Sequence, residues 1–521
     1  MLLLPIILLA ATVLLIWILR KRHLRIHWFL ASLSMLFAWV ATYLLKDRIP
    51  ISLEFSIWEP QTLFSSPLLF KLDWISWPLL MTAVTILLVI SLTLPSRDVL
   101  ITVKERLTTL IYLGMTMAAT LAGNMLSVVT TWMLMDVFIL TLGMWGTDHD
   151  ESGSEIIRWF AKNLISIFLL LIALVLDLSK GGGLNFGDRM LGASMVIVFL
   201  AIFLRMPIQS ISKFGVKIGW RDSGNLSTLD IFPALSGFSV LGHILTNGIS
   251  TDAVIWVRLF GGIYLALTLV RSVLWTRTEV NLKVLYIGVL GIGILSASYE
   301  SIEAGILISS LGVLVSLLNL TLGYLPIHEN WHTVVPALFI AMLAGLPGTL
   351  GSVLGTSTAN EIIRSGAVGI ALFVWFGMGI LAGTFIKNAV LYPVDWKNSE
   401  NLTRISYAIG LVFLVLNGVL IGIEMKQDVT LNALILFLSV ALIAGLFYYS
   451  MTKFGDKVTN GTVRYFGIPR MELGLTGIRQ FGHYFFRILS GIGDILESEN
   501  GMLWAFVILQ FIILAIGKLG I

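Results

Sequence analysis

Apolar stretches of about 18 to 25 residues recur along the whole chain, and short segments rich in Gly, Pro, Asn, Ser and charged residues separate them. A stretch of this length matches the roughly 20 residues that an α-helix needs to cross the hydrocarbon core of a bilayer. The separating segments have the composition of loops. The pattern predicts about sixteen membrane-spanning helices. Their predicted bounds are 2–20, 27–45, 74–95, 106–121, 125–143, 159–178, 190–208, 229–248, 253–274, 283–298, 302–322, 333–355, 366–392, 405–423, 430–449 and 503–519.

The composition of the chain supports the same class. Hydrophobic residues make up 57% of the 521 residues and charged residues 12%, whereas a soluble domain is about half apolar and about a quarter charged. A soluble core could not bury this surplus of apolar side chains, so the surplus must face lipid. Cysteine is absent, which excludes disulfides, thiolate metal sites and cysteine nucleophiles. We therefore expect an all-α integral membrane protein that is surrounded by the lipid bilayer.

The basic residues are distributed unevenly between the connections that the predicted helices define. Odd-numbered connections hold 24 of the 34 Lys and Arg residues, and even-numbered connections hold 7. Because cytoplasmic loops of membrane proteins carry the excess of positive charge, the odd-numbered connections are predicted to be cytoplasmic and both termini to lie outside. The net charge of +4 has the same origin and gives no argument for nucleic-acid binding.

Residues 452–501 differ from the other connections. This segment is long and rich in glycine and basic side chains, and aromatic residues recur along it. Such a composition favours an amphipathic segment that lies along the cytoplasmic surface of the membrane before the last helix. An ordinary basic loop is the alternative.

Four short motifs lie at the start or in the middle of predicted helices 3, 5, 10 and 12. They are Phe70-Lys71-Leu72-Asp73-Trp74-Ile75-Ser76, Ala122-Gly123-Asn124-Met125-Leu126 with Thr131-Trp132, Asn281-Leu282-Lys283-Val284-Leu285-Tyr286, and Leu343-Ala344-Gly345-Leu346-Pro347-Gly348-Thr349-Leu350-Gly351. In their order, spacing and placement, they resemble the antiporter-like family. That family comprises large membrane subunits of respiratory complex I, Mrp-type antiporters, membrane-bound hydrogenases and inorganic-carbon accumulation complexes.

The resemblance implies two inverted repeats of five helices, helices 4–8 and 9–13, in which helices 7 and 12 are broken. Pro207 would break the seventh helix, and Gly345, Pro347, Gly348 and Gly351 would break the twelfth. A break is tolerated only where the freed backbone groups line a hydrated or protein-packed interior; a packing kink or a helix end is the alternative. The implied domains are helices 1–3 in 1–100, the first repeat in 101–250, the second repeat in 251–395, helices 14 and 15 in 396–450, and the amphipathic segment with a C-terminal anchor helix in 451–521.

The family is thought to move protons along buried ionisable residues near the middle of the bilayer, and this chain departs from that pattern. Met133 stands at the position of a glutamate on helix 5, and Val315 at that of a lysine on helix 11. The histidine position of helix 8 falls on Ala234 or Leu235. Arg205 replaces the lysine of helix 7, and an arginine does not release its proton at useful pH.

Several ionisable residues nevertheless remain inside or near the predicted helices, where a charge persists only beside a partner or water. The candidates for an altered proton path are Asp136, Arg205, Asp230, His243, Glu361 and Lys387. Asp136 lies one turn from Met133 and either replaces the missing glutamate or forms a structural ion pair with Arg205. His243 is either a member of a relay or a core histidine with a hydrogen-bonded ring nitrogen.

Three functions remain open at this stage. The first is a membrane subunit of a multi-subunit complex that translocates protons or sodium ions. The second is a structural or accessory subunit without transport of its own, which the missing lysines favour. The third is a proton-coupled partner in inorganic-carbon uptake. All three imply other membrane subunits as partners and an energy-transducing membrane, such as the bacterial inner membrane.

No catalytic centre, cofactor site or metal site of the chain's own is predicted. The sequence has no Walker A loop and no clear dinucleotide fingerprint. His328-Glu329-Asn330-Trp331-His332 has the spacing of an HExxH motif, but it lies in a short connection rather than on a helix in a catalytic cleft, and a pair of interfacial histidines is the better account. The resemblance leaves open that the chain is a subunit of a translocase similar to NADH:quinone oxidoreductase.

Overall fold

The structure, a computed structural model, describes residues 1–22, 24–55, 67–93, 103–146, 150–179, 185–186, 192–206, 228–246, 249, 251–274, 282–299, 304–323, 334–352, 362–390, 401–425 and 431–465. Within these residues the chain forms fifteen α-helices. They are α1 (Leu4–Ile18), α2 (Leu24–Leu44), α3 (Ser76–Thr93), α4 (Val103–Thr120), α5 (Met125–Gly146), α6 (Asp150–Leu178), α7 (Gly192–Arg205), α8 (Thr228–Thr246), α9 (Thr251–Leu274), α10 (Leu282–Ala297), α11 (Ala304–Gly323), α12 (Val334–Leu343), α13 (Val368–Val390), α14 (Asn401–Glu424) and α15 (Leu431–Tyr465).

These helices overlap the first fifteen predicted spans one by one. In the described part of the chain, eight helices are long and apolar enough to cross a bilayer, and five apolar helices are shorter. The chain is therefore a mostly helical integral membrane protein, as predicted. The sixteenth span, 503–519, and residues 466–501 of the predicted amphipathic segment lie outside the described residues, so the total of sixteen stays a prediction.

Two predicted helix bounds require correction. Helix α6 begins at Asp150, nine residues before the predicted start. Its first turns are polar, so they are not part of an apolar stretch and were not predicted. Helix α15 continues to Tyr465, beyond the predicted end at 449. Residues 452–465, the first part of the predicted amphipathic segment, therefore continue this helix.

The sequence analysis also missed a small antiparallel sheet, so the all-α prediction is incomplete. Strand β1 (Ile51–Phe55) pairs with β2 (Leu68–Leu72), and Ile51 lies opposite Leu72. The N–H of Lys71 donates to the carbonyl of Leu121 at 2.7 Å, and the N–H of Gly123 donates to the carbonyl of Leu69 at 2.8 Å. The hairpin thereby fixes the start of α3 against the turn between α4 and α5.

Helices α3 and α11 lie at the centre of the bundle, and nearly all of their side chains are buried. Helix α3 packs against α2, α4, α8, α11 and α14. Thr82 and Thr85 in this helix each donate a hydrogen bond to the backbone carbonyl one turn earlier, at 2.8 Å. Outer helices such as α9 instead expose apolar side chains, among them Ile255, Leu259 and Ile263, as expected for a surface that faces lipid.

Helix α12 ends at Leu343, and the chain is helical again from Leu350 after an irregular segment. Gly345 and Gly348 have φ angles of 94° and 75°, in the left-handed region that favours glycine. A Cβ atom at Gly351 would lie 1.4 Å from the carbonyl oxygen of Met342, so only glycine fits there. The interruption falls within the range predicted for helix 12.

Candidate functional site

Asp136 of α5 and Arg205 of α7 form an ion pair inside the bundle. Nη1 of Arg205 lies 2.5 Å from Oδ2 of Asp136, and the two side chains are 0% and 1% exposed, respectively. At a rise of about 1.5 Å per residue, Asp136 lies roughly 16 Å along α5 from Met125, near the middle of that helix. The two opposite charges therefore compensate each other at a depth where neither would persist alone.

Neighbouring polar groups complete the surroundings of this pair. Asn163 of α6 donates from Nδ2 to Oδ1 of Asp136 at 3.3 Å. Arg205 donates from Nη2 to the carbonyl oxygen of Trp132 at 3.2 Å, and its guanidinium lies over the indole ring, 4.5 Å from the ring centre. Both carboxylate oxygens thus accept a hydrogen bond, and the guanidinium is held by three contacts.

Asp136, rather than Met133, points into the bundle. Met133 is 37% exposed, whereas Trp132 and Asp136 are buried. Positions 133 and 136 differ by about 60° around an α-helix, and this rotation separates the outer face of α5 from its inner face. A glutamate at position 133 would face outward, so Asp136 is the residue that supplies an interior carboxylate to this cluster.

Lys162 adds a second titratable group near Asp136. The sequence analysis counted Lys162 with a cytoplasmic connection, but it lies within α6, next to Asn163. Its side chain is half-buried, and its positive charge acts on Asp136. The guanidinium of Arg205 keeps its proton at useful pH, so Arg205 itself does not relay protons.

A second cluster of ionisable side chains joins the start of α3 to the end of α8. Nε2 of His243 lies 2.9 Å from Oδ2 of Asp73, and Nζ of Lys71 lies 3.3 Å from the same oxygen. Nδ1 of His243 lies 2.7 Å from the carbonyl oxygen of Ser239. The ring of Phe186 stacks on the imidazole with the ring centres 5.3 Å apart. His243 is therefore held at both nitrogens and covered on one face.

Asp73 also caps α3. Its Oδ1 accepts hydrogen bonds from the backbone N–H groups of Ile75 and Ser76, each at 3.0 Å, which satisfies donors that the first turn of a helix leaves free. Burial opposes ionisation of this carboxyl, but His243, the N–H of Ser76 and the ammonium of Lys71 together hold the pKa of Asp73 below its usual value. The carboxyl group of Asp73 is thus ionised at neutral pH.

Close helix packing places His243 against Asp73. A Cβ atom at Gly305 of α11 would lie 2.8 Å from the carbonyl oxygen of Gly242 of α8, and one at Gly242 would lie 2.6 Å from Cγ2 of Ile75. Ser309 of α11 donates to the carbonyl of Ile75 at 2.8 Å. The two glycines therefore let α8 and α11 approach the segment that carries Asp73.

For the other candidate residues, the structure gives at most the position in a helix or the burial of the side chain. Asp230 lies in the first turn of α8 and Lys387 near the end of α13, but their side chains lie outside the described part. Glu361 and Pro207 lie outside the described residues altogether. Leu235 and Val315, at two relay positions of the family, are buried apolar side chains. Among the described residues, no group of three or more His, Asp or Glu side chains could hold a metal ion.

Three residues of these clusters were not selected from the sequence. Asp73 and Lys71 were quoted only as part of a family motif, although a Lys-x-Asp triplet before an apolar stretch was a usable signal. Lys162 was assigned to a loop, although Lys162-Asn163 directly precedes the uninterrupted apolar stretch of helix 6.

Comparison with known proteins shows which solved structures have a similar fold. Neither a protein-family model nor a curated protein sequence matches the chain. A chain of the Mrp complex from Dietzia sp. DQ12-45-1b is similar with a TM-score of 0.67 and 13% identity, over 100% of this chain and 63% of that chain. A chain of the membrane-bound sulfane sulfur reductase, an archaeal respiratory membrane complex, has a TM-score of 0.60 and 17% identity, over 98% and 100%. A chain of respiratory complex I from Thermus thermophilus has a TM-score of 0.59 and 13% identity, over 86% and 100%.

The protein thus spans about 63% of the length of the Mrp chain and the full length of the other two chains. At these identities the similarity shows the fold. All three similar chains belong to membrane complexes. The chain is accordingly an integral membrane protein with the fold of the antiporter-like membrane subunits, the family that its sequence motifs resemble.

Proposed function

We propose that the chain is a membrane subunit of a multi-subunit ion-translocating complex and that it moves protons, or sodium ions, through the buried ionisable residues of its first half. The observation that carries this proposal is the buried Asp136–Arg205 pair with Asn163 beside it. Ionisable groups at this depth in a membrane are costly and by default indicate an ion path. The similarity in fold to chains of the Mrp complex and of complex I supports the subunit role.

We further propose that helices α4–α8 and α9–α13 are two inverted repeats. In the first set α4 packs on α5, α5 on α6, α6 on α7, α7 on α8, and α4 on α8. In the second set α9 packs on α10, α10 on α11, α11 on α12, α12 on α13, and α9 on α13. Because each set has five helices, the second necessarily starts on the opposite side of the membrane. The same five contacts in both sets support domain boundaries near 101–250 and 251–395.

The unequal distribution of basic residues supports a location in the bacterial inner membrane with both termini on the outer side. In that orientation α5 runs from the outer side towards the cytoplasm, and Asp136 lies midway. The partners of the chain are then other membrane subunits of the same complex.

A non-conducting accessory subunit is the second candidate, and one observation favours it. Asp136 and Arg205 form a direct ion pair at almost complete burial, and Asn163 and the carbonyl of Trp132 occupy further hydrogen-bonding groups of the pair. An ion pair closed in this way can serve to hold α5 and α7 together rather than to pass a proton.

Asp136→Asn in the intact complex tests the two candidates against each other. The complex is purified with its native subunits and reconstituted into vesicles that contain a pH-sensitive dye, and proton flux is driven by an imposed potassium diffusion potential. The asparagine keeps the shape of the side chain but has no titratable proton. Its amide nitrogen only donates, so it accepts from Arg205 or from Asn163 but not from both. We expect the flux to fall about a hundredfold or more, because positioned proton-transfer groups contribute about 10²–10⁴-fold.

Glu424→Gln is the matched control. Glu424 of α14 forms an ion pair with Lys46 that is partly exposed and lies outside both clusters. This variant loses a carboxylate charge and an ion pair, as Asp136→Asn does, and we expect its flux to equal that of the wild type. Equal flux in Asp136→Asn and the wild type, with all subunits retained, would refute conduction and support the accessory role.

A further inference from the structure

Lys71, Asp73 and His243 form a graded series from the protein surface into the bundle. Their side chains are 42%, 13% and 6% exposed, in that order. The start of α3 and the end of α8 lie on the outer side in the proposed orientation. This cluster, which we call the outer triad, therefore stands between the outer aqueous phase and the buried helices.

The hydrogen bonds of His243 define where its protons lie. The carbonyl oxygen of Ser239 only accepts, so Nδ1 of His243 carries a hydrogen. Nε2 faces the carboxylate of Asp73, and at 2.9 Å one proton lies between the two groups. The pair of His243 and Asp73 thus holds a single proton beyond the one on Nδ1.

We propose that the outer triad of Asp73, His243 and Lys71 is the site at which the chain exchanges protons with the outer aqueous phase. This inference rests on the proposed function and adds Asp73 and Lys71 to its residues. His243 holds the proton, Asp73 stabilises the protonated imidazole, and Lys71 connects the pair to solvent.

The step moves one proton and no electrons. On release, the proton on Nε2 of His243 passes to water, and the imidazole becomes neutral. The carboxylate of Asp73 then loses its cationic partner, but the ammonium of Lys71 lies 3.3 Å away and compensates its charge. Uptake is the reverse step. Lys71 thereby lowers the energy difference between the two states, as an exchange site requires.

On the elements packed against α8, the other titratable groups whose positions the structure describes do not contact this triad. In the described part, α3 and α11 contain no titratable side chain. Those of α4 end at Tyr112, two turns before the end of that helix at Thr120. Arg205, at the far end of α7, is paired with Asp136.

The test compares Asp73→Asn with the wild type in the reconstituted complex, with proton flux measured against the pH on the outer side. Asparagine caps a helix as well as aspartate does, so α3 keeps its cap while the charge is lost. We expect the flux to fall about a hundredfold or more. Glu424→Gln again serves as the control and should keep the flux of the wild type.

Lys71→Gln provides a second measurement on a half-exposed side chain whose loss leaves the core unchanged. Without the ammonium, the deprotonated triad is less stable, so the proton is held more tightly. We expect the midpoint of flux against outer pH to rise. This measurement also decides the matter if Asp73→Asn fails to assemble.

The outcomes separate this inference from the proposed function. If Asp136→Asn loses flux while Asp73→Asn and Lys71→Gln keep both the flux and its pH midpoint, the outer triad is not the exchange site. If Asp136→Asn also keeps the flux of the wild type, the proposed function fails together with this inference. If Glu424→Gln loses as much flux as Asp73→Asn, the effect comes from any lost ion pair, and the inference is overturned.

Discussion

Replacement of Arg205 by methionine should destabilise the protein strongly, because it removes the charge that is directly paired with the buried carboxylate of Asp136. Methionine retains much of the aliphatic stem but removes the contact to Oδ2 of Asp136 and the bond to the carbonyl of Trp132. Only Asn163 then still donates to the carboxylate. Removal of one partner from a buried ion pair costs about 3–5 kcal/mol, and we expect a loss of this size in the free energy of unfolding.

The double variant gives the sharper test. Asp136→Leu alone leaves Arg205 uncompensated and should cost about the same amount, whereas Asp136→Leu with Arg205→Met removes both charges. Apolar replacement of a whole buried pair is about neutral or stabilising. We therefore expect the double variant to lie within about 1 kcal/mol of the wild type. The resulting coupling energy exceeds the few tenths of a kcal/mol that distant, independent sites show.

The measurement is the free energy of unfolding in detergent micelles or bicelles, determined at pH 5 and pH 8. At pH 5 the loss in Arg205→Met should be smaller, because a carboxyl group that has taken up a proton is no longer a buried charge. The partly exposed pair of Lys46 and Glu424 is the control, and its disruption should cost clearly less than the loss at the almost fully buried pair. Single losses below 1 kcal/mol that simply add in the double variant would refute the interpretation of a coupled buried pair.

Three further variants test the packing of the second half. Gly291→Ala in α10 should destabilise the protein by about 1–3 kcal/mol, because its Cβ would lie 2.8 Å from the backbone nitrogen of Leu265. Gly262→Ala is the control. Its Cβ would meet nothing within 4 Å, so the protein should be as stable as the wild type or slightly more stable in the same unfolding assay. Asn319→Leu in α11 should stabilise by about 1–3 kcal/mol, because neither amide atom of this buried side chain has a hydrogen-bond partner among the described residues. If the Asn319→Leu variant were less stable than the wild type, the amide of Asn319 would have a hydrogen-bond partner outside the described residues.

The positions of the helices could be predicted because lipid demands long apolar stretches, and each described helix left such a stretch in the sequence. The same criterion concealed the short strands β1 and β2, although Ile51, Leu53 and Phe55 alternate with polar residues as a half-buried strand does. It also placed the start of α6 too late, since a helix that extends beyond the hydrocarbon core is no longer apolar.

The first cluster could be partly predicted, and the second could not. Asp136 and Arg205 are charges inside apolar stretches, so each had to find a partner, and few other charges were available. Asp73, by contrast, lies in a connection where a charge needs no explanation, and 170 residues separate it from His243. Only the hairpin and the glycine contact between α8 and α11 bring these two residues together, and neither left a pattern that the sequence analysis could use.

The two sets of five helices share their packing but differ in the chemistry of their interiors. In the first set, the described interior carries Asp136, Arg205 and His243, whereas the polar groups of the central helix α11 in the second set are hydroxyls and amides such as those of Ser316 and Asn319. Hydroxyl and amide groups orient water but do not hold a proton of their own, while a carboxylate or an imidazole does. We therefore expect a proton path through the described residues to run in the first set, between the cluster at Asp136 and the outer triad. The buried helix α11 then contributes chiefly by packing, because Gly305 and Ser309 are the residues that hold α8 and the start of α3 in register.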